Sequence, residues 1–278
     1  MSLRQTLVQP FGLLLEPDSG SAHVRDVDVE HLRQLFRRHH LLVLRGFNTF
    51  TTSEDFGDYC AAWGEISLWP FGRVLELREQ DAPEDHIFDC SYVPLHWDGM
   101  YRPQVPEIQI FHCPQAPLPG HGGRTTFSNT LLALQQATDE QKALWDRVTV
   151  TYRRKMEFYD SRTVSPILTR HPFRDYPVIR YNEVHSIDQG RLVNPVAHEY
   201  SGLASEDVES FQRGLRGRLY SPDCFYAHEW RDGDLVIADN FTLLHGREAF
   251  TSKSPRHIQR VQVLSNPPFE NPGLESYT

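Results

Sequence analysis

A double-sheet jelly roll, mainly β and decorated by α-helices, is the fold the sequence predicts. Three observations predict it. Short strand-like runs dominate from residue 91 onward, turn-forming clusters separate them, and a few amphipathic helical stretches are interspersed. The chain has 278 residues, 39% of them hydrophobic, so it can bury a sizeable core. No Gly/Ser linker, long charge run or fixed-period repeat marks a boundary, and residues 1–278 read as one domain.

Taken in order, residues 28–40 place Val29, Leu32, Leu35 and Phe36 at helical spacing, with RQLFRR (33–38) as a solvated face. LLVLRGF (41–47) reads as a buried strand ending at Gly46. A helix follows, with Ser53 as its expected N-cap and Gly64 as its stop. Residues 68–90 are rich in proline and acid and read as loop. EIQIFHC (107–113) alternates as a strand, PQAPLPGHGG is a turn-rich loop, and RTTFSN is short and β-like. NTLLALQQATDEQKALWDRV holds two helical pieces, the second capped by Thr138 with Glu140 and Gln141 behind it. VTVTYRR, YPVIRY and EVHSI read as strands, and residues 205–220 as an amphipathic helix capped by Ser205. A turn at Asp232–Gly233 precedes a strand at 235–238 and a second turn leading to His245, and HIQRVQVLS closes as a strand.

The formal charge is −9 and the 28 basic residues are spread along the chain, which argues against nucleic acid or an anionic membrane as partner. Cys60, Cys90, Cys113 and Cys224 form no CxxC pair and read as small core residues of a protein in a reducing compartment. The apolar run from Phe11 to Leu15 is too short for a signal core or a membrane span, so a cytoplasmic location is expected. Homo-oligomerisation stays open.

The stretch VPLHWDGMY (93–101) carries the chemistry. A buried carboxylate is costly unless paired or metal-bound, and here Asp98 sits two residues after His96 in apolar company. Alone the triplet is weak: 14 histidines and 37 acids in 278 positions give about two H-x-[DE] matches by chance, and there is one. On a strand the two side chains would share a face, with Trp97 opposite. A face of two histidines and one carboxylate, open to a non-haem iron, needs one more imidazole. His245 is the candidate, because it follows an apolar strand and a turn, and Gly246 lets backbone approach. His39, His40, His121, His198 and His228 read instead as exposed or singly hydrogen-bonded. Arg256 and Arg260, four apart on the last strand, would share a face and imply two anionic groups in the barrel mouth. Thr125, at the end of GGRT, adds a hydroxyl for one of those carboxylates.

Taken together and in order, VLRGF (43–47), HWD (96–98), GGRT (122–125), GDLVIADNFTLLHGR (233–247) and the two late arginines resemble the Fe(II)/2-oxoglutarate dioxygenases of the taurine dioxygenase (TauD/TfdA) family. The resemblance covers most of the chain. It implies a double-stranded β-helix (jelly-roll, cupin-like) core decorated by α-helices, and Fe(II) on His96, Asp98 and His245. It implies 2-oxoglutarate as cosubstrate with O2, its distal carboxylate on Arg256 and Thr125, and the acid group of the primary substrate on Arg260. Taurine-oxidising members carry a histidine before a proline where this chain has Trp69-Pro70, which speaks against taurine. Trp69, Phe71, Tyr92 and Tyr101 flank the expected site and point to a small aromatic carboxylate, although ordinary core packing explains them equally well. HWDGMYR looks most like the PvcB branch, which implies desaturation, with or without loss of carboxylate, of a tyrosine-derived isonitrile in secondary metabolism. Other readings are a hydroxylase of another small carboxylate or sulfonate, a zinc hydrolase, or a non-catalytic jelly-roll binding module.

Overall fold

Leu235–Asp239 is apolar on both faces, and the structure buries both. Leu235 and Ile237 pack with Leu32, Phe36 and Phe56 from two helices, while Val236 and Ala238 pack with Phe127 and Leu243 of a second sheet. The computed structural model describes residues 2–18, 22–156, 159–185 and 192–278. Its largest sheet has seven strands, in the order β1 (Leu3–Leu7), β2 (Leu13–Pro17), β3 (Leu41–Leu44), β15 (Leu235–Asp239), β7 (Ile108–Gln115), β17 (His257–Val263) and β4 (Leu75–Leu77). Every neighbouring pair is antiparallel except β2 and β3.

Facing it is a four-stranded sheet in the order β14 (Phe225–His228), β8 (Thr125–Asn129), β16 (Leu243–Arg247) and β5 (Val93–His96). Phe111, Val236 and Ile258 from the large sheet interdigitate with Phe127 and Leu243 from the small one, which closes the double-sheet roll. Each fully buried side chain of this size contributes about 1.5–3 kcal/mol. A third sheet, β13 (Ala197–Ser201), β9 (Thr149–Met156), β10 (Tyr159–Pro166) and β19 (Leu274–Tyr277), lies beyond β5. Tyr152 of that sheet packs in one cluster with Leu95, Trp97 and Leu244. Two short ribbons pair β11 (Leu168–Arg170) with β12 (Pro177–Ile179), and β18 (Phe269–Glu270) with β6 (Gln104–Val105).

The helices are α1 (Val29–His39), α2 (Ser53–Ala61), α3 (Thr130–Gln135), α4 (Asp139–Asp146) and α5 (Val208–Leu219). Thr138 caps α4 through a reciprocal box with Gln141, as expected. Two caps differ from expectation. Thr52, not Ser53, accepts the amide of Asp55, because its extended backbone leaves the hydroxyl over the first turn. Ser205 opens a short 3-10 turn, and α5 starts at Val208 with no side-chain cap. The expected loop 68–90 contains β4, which gains its hydrogen bonds by lying along β17. The expected strand at 183–187 is absent over 183–185, and its last two residues lie outside the described ones. β18 and β19 follow the strand expected to be last.

Candidate active site between two sheets

His96 ends β5 and His245 sits on β16, and these strands are direct neighbours in register. Their rings lie 4.2 Å apart between centroids. Gly246 makes the approach possible: a Cβ there would meet the Val93 carbonyl at 2.6 Å. Asp98 is not on the strand, contrary to expectation. β5 stops at His96, and Asp98 enters a turn with Gly99 at φ +91°. A Cβ on Gly99 would strike Pro106 at 2.7 Å and Val105 at 2.8 Å, so the turn requires glycine. Asn240 fixes the turn: it accepts the Asp98 amide at 2.9 Å and donates to the Asp98 and Pro106 carbonyls.

The turn still brings the three groups together. Asp98 Oδ1 is 3.7 Å from His96 Nε2, and Oδ2 is 3.7 Å from His245 Nε2. All three ligand atoms fall within 4.8 Å of one another. A metal with bonds of about 2.0–2.2 Å spans donors up to about 4.4 Å apart, so the two 3.7 Å separations suit one ion. His96 Nδ1 donates to the Pro94 carbonyl at 2.9 Å, which directs Nε2 inward. Burial pushes both imidazoles below their ordinary pKa, most strongly His245, so they are neutral and able to ligate. For Asp98, burial alone would raise the value, but Arg260 and the two histidines outweigh it and hold the carboxyl at about 2.

Asp98 Oδ2 collects Arg260 NH1 at 2.7 Å and the side-chain amides of Gln109 and Gln262, each at 2.6 Å. Gln109 and Gln262 face each other across β7 and β17. Sequence reading missed both, and Asn240. The one available signal was a glutamine inside an otherwise apolar strand.

Two cavities meet at His96. The smaller, about 50 Å³, is lined by His96, His245, Thr125, Phe111, Arg256 and Arg260, among others. Arg256 is 4% exposed and donates through Nε to the Gly123 carbonyl. It has no carboxylate partner among the described residues. Burial, with the charge of Arg247 behind it, pushes its pKa down, yet a guanidinium keeps its proton and therefore calls for an anion. Thr125 Oγ1 accepts from the Trp230 indole at 3.0 Å, which leaves its own hydrogen free to donate. Arg247 is structural: it donates to the backbone carbonyls of His86, Ile87, Asp89 and Ser91 and holds that segment beside the site.

The larger cavity, about 200 Å³, is lined by Trp69, Phe71, Tyr101, Arg154, Glu183 and Arg260, together with His96 and Asp98. The Trp69 indole donates to Gln262, and the Arg102 guanidinium lies 4.3 Å over its ring. Tyr101 accepts from Asn182 at 2.9 Å. Tyr92 does not line the cavity. Its hydroxyl is bonded to that of Tyr220, which donates to Glu183, so it belongs to the support behind β5. His228 and His198 differ from expectation, each bonded through both ring nitrogens, His228 to Tyr226 and Asp234 and His198 to the Val196 and Asn182 carbonyls.

The family model described as taurine catabolism dioxygenase TauD, TfdA family matches residues 15–262. The chain is 49% identical to the tyrosine isonitrile desaturase of Pseudomonas aeruginosa, covering 95% of this chain and 91% of that one. It is 37% identical to the 3-((Z)-2-isocyanoethenyl)-1H-indole synthase of Fischerella ambigua, covering 92% and 93%. Among solved structures, PvcB, described as an Fe, alpha-ketoglutarate dependent oxygenase from an isonitrile synthetic pathway, superposes with a TM-score of 0.85 at 45% identity, covering 99% of this chain and 96% of that one. With its paired histidines and carboxylate set between two facing sheets, the chain belongs to the TauD/TfdA family of dioxygenases.

Proposed function

We propose that this dioxygenase uses Fe(II), 2-oxoglutarate and O2 to desaturate a small isonitrile carboxylate derived from an aromatic amino acid such as tyrosine. The carrying observation is the meeting of His96, Asp98 and His245 where two cavities join, with Arg256 lining the smaller cavity and Arg260 both. The activities named for the similar proteins support the substrate class.

His96, Asp98 and His245 would hold the iron, whose bound chemistry couples oxidative decarboxylation of 2-oxoglutarate to two-electron oxidation of the substrate. The balance is two hydrogens lost from adjacent substrate carbons, one oxygen atom to succinate, one to water, and carbon dioxide released. The chain's own residues do the rest. Arg256 and the Thr125 hydroxyl would take the distal carboxylate of 2-oxoglutarate. Asp98 would give up Arg260 when it takes the metal, and the freed guanidinium would bind the substrate carboxylate. Trp69, Leu75, Ile87 and Met100 would keep water from the substrate's reacting carbons. Residence in the reducing cytoplasm fits the four free cysteines and belongs to the same reading. A zinc hydrolase or a metal-free binding module would leave the buried Arg256 without a purpose.

His96→Ala, Asp98→Ala and His245→Ala should each abolish substrate-dependent succinate formation and the anaerobic visible band of iron-bound 2-oxoglutarate. Undiminished turnover in all three would sink the site. A mass-spectrometric screen of aromatic isonitrile carboxylates, scored for products lighter by two hydrogens, tests the substrate.

A further inference from the structure

The substrate cavity is built from two sources. Arg260 comes from β17 of the seven-stranded sheet, whereas Arg154 comes from β9 of the third sheet. The neighbouring Arg153 is exposed, as strand alternation requires. The two cavity arginines differ in charge balance. Among the described residues Arg260 pairs with Asp98 alone, a group the metal would claim. Arg154 is already neutralised by Asp85, a buried carboxylate that also receives Asn194. Arg154 nevertheless keeps unused donor capacity. Its NH2 goes to Asp85, its Nε is enclosed, and its NH1 has no hydrogen-bond partner among the described residues, which leaves NH1 as the donor for the cavity that Arg154 lines. A neutralised guanidinium with a spare N–H suits an uncharged oxygen rather than a second carboxylate. Beside it lies an aromatic shelf: its guanidinium carbon is 5.5 Å from the Tyr101 ring centre, and Tyr101 stacks on Tyr159 at 5.9 Å with the planes 13° apart.

We propose that Arg154 reads the ring hydroxyl of the substrate, donating to the phenol oxygen while Arg260 holds the carboxylate, and that this makes the enzyme selective for a hydroxyphenyl over an indole or phenyl ring. The inference rests on the aromatic isonitrile reading above. Guanidinium is a donor only. A phenol oxygen accepts from it, an indole N–H presents a second donor, and a phenyl ring presents nothing. A site built to bond a hydroxyl discriminates against analogues lacking it because its polar group is then left unpaired.

The test is equilibrium binding, without turnover. The anaerobic holoenzyme with Fe(II) and 2-oxoglutarate is titrated with 2-isocyano-3-(4-hydroxyphenyl)propanoate and its phenyl and indol-3-yl analogues, read by the shift of the visible band. Wild type should bind the hydroxyphenyl compound about 10- to 100-fold tighter than the phenyl one, the range of a charge-assisted hydrogen bond. Arg154→Met should erase that preference and leave phenyl affinity unchanged. Because this substitution strands Asp85, the double variant Asp85→Asn/Arg154→Met removes both charges together and should show the same loss. Equal weakening of all ligands would overturn the assignment, making Arg154 a carboxylate anchor or a structural group. So would a wild type that binds the three without preference, a result independent of any variant. If none of the three binds wild type, the isonitrile reading itself fails and takes this one with it.

Discussion

The two cavities that share His96 are built for different tasks. The one around Arg256 is tight, and that cation is deeply buried, its partners among the described residues being a backbone carbonyl and the Phe250 ring, whose centre is 5.5 Å away. The one around Arg260 and Arg154 is larger and walled by Trp69, Phe71 and Tyr101, with each cation already opposed by a carboxylate. A buried guanidinium without a carboxylate is costly, so on the reading proposed above the smaller space is shaped for an anionic cosubstrate. A paired guanidinium among aromatics leaves size and polarity to decide, so on the same reading the larger space sets substrate identity. The difference locates constancy on one side of the metal site and specificity on the other.

Three experiments can break or sharpen that contrast. Arg256→Met should have the largest effect, raising the 2-oxoglutarate requirement by about 100-fold or more as a charged bidentate contact is lost. Affinity for the primary substrate should stay near wild type. Arg260→Met should do the reverse, weakening substrate binding by about 10- to 100-fold with 2-oxoglutarate affinity held. Two variants that both affect the same ligand would erase the division between the cavities. The smallest effect should come from Asn240→Ala, which loosens the Asp98 turn and touches neither cavity's arginine. Iron affinity, measured anaerobically by competition with a chelator, should fall about tenfold, in the range found for groups that orient metal ligands. If iron affinity is unchanged, the turn holds its shape through Gly99 and its neighbours alone.

Legibility followed periodicity. The strands at 41–44 and 235–239 were readable as short continuous apolar runs bounded by turns, and that at 108–115 by its alternation, each regardless of partner. The two candidate histidine ligands were readable because His96 and His245 lie on adjacent strands of the small sheet, where side-chain direction follows from the pleat. Asp98 shows where that logic ends: a glycine turn, not the strand, aims it. Gln109 and Gln262 were invisible because a polar residue on an alternating strand reads as solvent-facing until a facing sheet closes over it. Tyr92 was misplaced for a related reason. Its nearness to the site in sequence said nothing of the turn toward Tyr220. Arg154 lies in a strand that reads plainly, yet no local pattern told which sheet that strand would join.

By itself the sequence determined the strand-rich class, the helices around it, the three candidate metal-ligating side chains and the two late arginines, since each follows from local spacing or ordered short motifs. The tertiary structure alone decided which glutamines face Asp98, which arginine is neutralised, and which cavities each cation lines. Those are questions of partner and burial. Electrostatics acts across space between groups far apart in the chain, so only the packed arrangement of the sheets can answer them.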